Sequence, residues 1–76
     1  MIYNYAKLKG RIKELYGTQD AFAAALEMSA AALSARLNNT TSFTQGEMDK
    51  ACQLLSIADG DIRSYFFCHG SSDFQN

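Results

Sequence analysis

The stretch that most limits what this chain can fold into is TQDAFAAALEMSAAALSARLNN, residues 18–39, two alanine-rich runs each opened by a hydroxyl residue. Alanine is the strongest intrinsic helix former, and its small side chain permits close helix approach. The hydroxyls of Thr18 and Ser29 suit the cap position, where an oxygen accepts a free amide of the first helical turn. Phe22, Ala23 and Leu26 share one face of the first run, and Leu33 and Leu37, four apart, stack on one face of the second. Glu27 and Met28 interrupt before the Ser29 cap. The pattern therefore predicts two short helices joined by a turn of about three residues, which is the arithmetic of a helix-turn-helix.

The flanking segments supply further helices. Tyr5, Leu8, Ile12 and Leu15 recur at spacings of three and four, so a first helix is expected from Asn4 to Tyr16, with Gly17 as a left-handed stop. Gly10 within it costs roughly 1 kcal/mol relative to alanine; it either marks a close helix contact or is simply tolerated. Thr44 and Glu47 have the spacing of a capping box, and Phe43 and Met48 that of a hydrophobic staple, so a further helix starts at Thr44 and Asn38 to Ser42 form a loop. Met48, Ala51, Cys52 and Leu55 continue its inward stripe, with Leu54 beside it. Asp59 is placed to cap a fifth helix, Gly60 to Phe67, that brings Ile62 and Phe66 to the core. The expected domain is residues 1–68, and the following HGSSDFQN, lacking a pattern, is expected to fray over 69–76.

Composition agrees. The chain has no proline and no valine, and 76 residues suffice for one core, so the expectation is an all-α domain, a compact bundle of five short helices. The net charge of -1 is unlike that of a strongly basic nucleic-acid binder, yet Lys7, Lys9, Arg11 and Lys13 fall in the first helix while Glu47, Asp49, Asp59, Asp61 and Asp73 lie late in the chain. The molecule is thus polarised along its length. Cys52 fits a helical core stripe, and neither it nor Cys68 belongs to a zinc-type spacing, so reduced thiols, no metal and a cytoplasmic location are expected. No signal peptide or apolar run of membrane length is visible. His69 is the only histidine, and no nucleophile, acid and base constellation or phosphate-cradling glycine loop accompanies it, so neither an enzyme nor a cofactor is expected. Asp59-Gly60-Asp61 lacks the later ligands of a calcium loop and reads as a capping segment.

Residues 18–39 resemble the helix-turn-helix of the phage repressor and Cro superfamily, with Thr18, Gln19, Phe22, Ala23, Leu26, Met28, Ser29, Leu33, Ser34, Leu37 and Asn38 at matching positions. The downstream FTQGEMDKACQLLSIADGDIRSYFF is similar to that of short phage- and prophage-derived regulators of Gram-positive bacteria. Two departures stand out. Glu27 occupies the place where the family usually has a turn glycine, so either Glu27 takes a left-handed conformation or the turn differs. Ala30, Ala31 and Ala35 stand where the family often has long polar side chains.

The resemblance implies a lambda-repressor-like domain, a sequence-specific regulator of transcription whose third helix enters the major groove of double-stranded operator DNA. On that reading the DNA-binding residues are Thr18, Gln19, Ser29, Ala30, Ala31, Ser34, Ala35, Asn38, Asn39 and Thr40. The hydroxyls and amides contact phosphates or base edges, and the alanine methyls pack on thymine methyls. Arg36, Lys7 and Lys9 are candidate sources of charge. A homodimer spanning two half-sites is expected, with Tyr65, Phe66 and Phe67 as its contact or, alternatively, as cover for the core. The competing expectation is a protein-interaction module, such as an antirepressor, co-regulator or antitoxin-like partner, that keeps the architecture with weak or no DNA binding. Near-neutral charge and the alanine face favour it.

Overall fold

Three of the helix starts in this chain are set by side-chain oxygens. The computed structural model describes residues 3–68, and within them α1 spans Ala6–Tyr16, α2 Gln19–Leu26, α3 Ala30–Leu37, α4 Gln45–Leu55 and α5 Ile62–Phe66, the last preceded by a 3-10 turn, Asp59–Asp61. The expected frayed tail, 69–76, lies outside the described residues. Thr18 Oγ1 accepts the Ala21 N–H at 3.1 Å, and Ser29 Oγ accepts the Ala32 N–H at 3.0 Å. At α4 the expected capping box is complete: Thr44 Oγ1 accepts the Glu47 N–H at 3.1 Å while Glu47 Oε1 accepts the Thr44 N–H at 2.9 Å.

Two starts differ from expectation. Asn4 Oδ1 accepts the Ala6 N–H at 2.8 Å, which begins α1 two residues later than the apolar spacing suggests. Asp59 makes no side-chain cap; the Asp61 N–H donates to the Ala58 carbonyl instead, so the chain enters α5 through a 3-10 turn.

The core draws on every helix: Tyr5, Leu8 and Ile12; Phe22, Ala23 and Leu26; Leu33 and Leu37; Ala51, Cys52 and Leu55; and Phe66, with Phe43 and Ile57 from the connections. Phe43 sits between Tyr5 and Phe66, its ring edge-to-face with both at centroid distances of 5.5 and 5.3 Å. Such pairs add about 0.5–1.5 kcal/mol each beyond the area they bury. Met48, four residues after the α4 cap, packs half-buried against this core, in keeping with a staple to Phe43.

Leu15 is not part of it. It stands 46% exposed, because Tyr16, four residues beyond Ile12, takes the inward place, its ring 5.1 Å from that of Phe22 and its hydroxyl donating to the Leu54 carbonyl at 3.4 Å. Nor does Gly10 mark a close contact: a Cβ there would meet nothing within 4 Å.

Glu27 resolves the question of the turn. It takes the left-handed conformation, φ 62° and ψ 39°, and its N–H and that of Met28 donate to the Ala24 and Ala23 carbonyls. This is a Schellman ending, the place most often given to glycine. Glu27→Gly should therefore raise stability by about 1 kcal/mol, read as a higher urea midpoint with an unchanged slope. The ion pair of Glu27 with Lys50, 3.4 Å and largely exposed, offsets little of that gain.

Candidate functional site

The left-handed turn and the two caps leave one broad face of α2 and α3 to solvent. Thr18 and Gln19 lie exposed at the start of α2, Ser29, Ala30 and Ala31 exposed at the start of α3, Ser34 and Ala35 half-buried along it, and Asn38 and Thr40 exposed beyond it. The structure thus gathers on α3 and its ends most of the residues expected at a binding surface. Leu33 and Leu37 point inward and anchor the helix.

Much of the polar capacity of this face is already committed. Asn38 Nδ2 donates to Ser34 Oγ at 3.2 Å. Asn39 does not offer its amide to a ligand: its Oδ1 accepts the Tyr3 N–H at 2.9 Å and its Nδ2 donates to the Tyr3 carbonyl at 2.9 Å. Arg36 contributes no free charge either. Its Nε and Nη2 donate to Glu47 Oε1 and Oε2 at 2.8 and 3.0 Å, and its Nη1 donates to the Ala32 carbonyl at 2.9 Å. Arg36 is the sole cation between Thr18 and Thr44, against the acids Asp20 and Glu27, so this segment carries no unpaired positive charge.

The remaining cations are distributed unequally. Lys9 and Lys13 line a shallow cleft with Gly17, Thr18 and Gln19, and Lys9 also borders the groove containing Leu37, Asn38 and Asn39. Lys9 therefore lies between the start of α2 and the end of α3. Lys7 turns away, its Nζ 4.7 Å from the centroid of the Tyr65 ring.

Of Tyr65, Phe66 and Phe67, Phe66 takes the expected core place: it is 1% exposed and set edge-to-face against Phe43. Tyr65 is half-buried beneath Lys7, and Phe67 is 38% exposed with its edge against Tyr3. Among the described residues no cluster of His, Cys, Asp or Glu could hold a metal ion, and no helix is long and apolar enough to cross a membrane.

The Arg36–Glu47 pair escaped the sequence reading because the two residues are eleven apart across a loop, a spacing with no helical or strand meaning. Donation by the Arg36 guanidinium, opposed by partial burial and reinforced by the Thr44 N–H, holds the Glu47 carboxyl below its ordinary value. A carboxyl depressed in the folded state adds stability above its unfolded pKa, about 4.3, and that contribution is lost as pH falls through the folded value. The stability difference between the parent and Glu47→Gln is therefore expected to shrink between neutral pH and about pH 3, measured as urea midpoints of both proteins across that range.

A family model described as a protein of unknown function (DUF739) matches residues 1–69. The chain belongs to that family. This DUF739 chain is also similar to a solved structure, the solution structure of the modulator of repression (MOR) of the temperate bacteriophage TP901-1 from Lactococcus lactis, with 39% sequence identity and a TM-score of 0.78. The likeness covers 88% of this chain and 90% of that one. No curated protein matches the DUF739 chain by sequence. The resemblance to phage regulators is thus carried by a structure at substantial identity that covers most of this chain.

Proposed function

We propose that the chain is a regulator of phage repression that acts through the exposed face of α2 and α3, and that it does so by touching protein. A modulator of repression has two things to touch, the operator or the repressor. The observation that carries the choice is the charge of α3: its one arginine is spent on Glu47, and its outward face is methyls, Ser34 and Asn38. DNA affinity comes largely from neutralised phosphates, which this helix lacks the charge to supply. A neutral face of small residues instead permits close packing against a helix or loop of a partner, with little charge to desolvate.

A second reading, direct operator binding of the repressor and Cro type, has its own support. The three-residue turn between capped helices suits a helix-turn-helix, and Lys9 and Lys13 flank Thr18 and Gln19, where such a domain meets a phosphate. On this reading Ala30, Ala31, Ser34 and Ala35 read the groove, Asn38 and Thr40 hold the backbone, and a homodimer spans half-sites about 34 Å apart, with Phe67 and Tyr65 at its contact.

Salt separates the two. The purified chain is mixed with a repressor from the same phage or prophage and, separately, with its operator fragment, at 50 and 200 mM salt. The proposal expects a complex with the repressor that changes little between about 50 and 200 mM, and no shift of operator alone. An operator shift by the chain alone that weakens steeply over that range, without repressor binding, would replace the first reading by the second.

A further inference from the structure

Helix α3 carries the proposed contact face, yet its packing partner is chiefly α2. Its C-terminal end is tied to the rest of the molecule by side chains. The Arg36 guanidinium spans from the Ala32 carbonyl of its own helix to both oxygens of Glu47 at the start of α4, and Glu47 in turn accepts the Thr44 N–H. Both side chains are largely sheltered, at 17% and 22% exposure. Just beyond, Asn39 sits at φ 64° and bonds both backbone groups of Tyr3.

We propose that Arg36 and Glu47 are positioning residues that set the tilt of α3, and that they govern partner binding without touching the partner. This rests on the reading that the α3 face is the contact surface. The physical basis is geometric. A fork-to-fork pair fixes two directions at once, which a single hydrogen bond does not. Here one end of the fork also binds the helix being positioned. With the pair broken, the last turn of α3 keeps only Leu37 and the Asn39 tie, so Ser34 and Asn38 lose a defined place relative to Ala30 and Ala31.

Arg36→Gln removes the fork, and Glu47→Gln removes the charge while keeping an amide oxygen for the Thr44 N–H. Amide hydrogen exchange at Asn38, Thr40 and Thr41, whose N–H groups bond the Ser34 and Ala35 carbonyls, should quicken about tenfold in either variant, while the α1 amides exchange as in the parent. The double variant should add little to either single one, because the two changes remove one interaction. Repressor affinity should fall about tenfold in parallel. Unchanged exchange at Asn38 to Thr41 overturns the proposal, as does quickened exchange with affinity held within twofold of the parent. Ser34→Arg, on the face itself, is the control: if it spares repressor binding, the contact reading fails, and the exchange data still decide whether the pair positions α3.

Discussion

Phe66→Ala should cost about 3–5 kcal/mol, the range for truncating a buried phenylalanine. The stability of a domain this size is only roughly 4–11 kcal/mol, so the variant should be mostly unfolded in mild urea. The size of the effect follows from position. Phe66 is 1% exposed and closes the Tyr5, Phe43 and Phe66 ring stack that joins α1, the α3–α4 loop and α5. Truncation leaves a cavity bordered by rigid rings, which collapses poorly. Phe67→Ala, one residue on and 38% exposed, should change stability by less than about 1 kcal/mol. Urea unfolding followed by circular dichroism, at two protein concentrations, checks both. A loss under about 1 kcal/mol for Phe66→Ala, or a loss that disappears at high concentration, would return Phe66 to a subunit contact.

Ser34→Glu should have the largest effect on binding and a small one on the fold. Ser34 lies on the outward side of α3, and its only described hydrogen bond besides helix pairing is accepted from Asn38. The substitution places an unpaired carboxylate at the centre of the proposed contact, where residues that matter cost 2 kcal/mol or more, so partner affinity should fall roughly 30-fold or more. Stability should stay within about 1 kcal/mol of the parent. Titration against the repressor and against its operator tests both readings together, since a carboxylate on this face also repels phosphate. Binding to both at parental strength would remove α3 from the contact surface.

The likeness to a phage modulator of repression agrees with the link to phage regulators expected from residues 18–39, and the chemistry of the face was partly legible too. Thr18, Ser29 and Thr44 announced their helices because a cap is a local event, decided by a hydroxyl and an amide three residues away. Leu33 and Leu37 declared their side for the same reason, through spacing alone. Arg36 and Asn39 could not be read in that way. Both looked like free polar groups near a binding helix, and both are spent on partners far along the chain, Glu47 and the Tyr3 backbone.

Leu15 marks the same boundary from the apolar side. Periodicity put both Leu15 and Phe66 inside; the packing buried Phe66 as expected and exposed Leu15, because Tyr16 takes the inward place beside Phe22. What the sequence by itself determined was the set of helices, the starts of α2, α3 and α4, their inward stripes and the neutral character of α3, because each depends on neighbours within a turn or two. What only the tertiary structure decided was which charges and amides remain free to meet a partner. That depends on contacts between residues distant in the chain, and no local spacing encodes them.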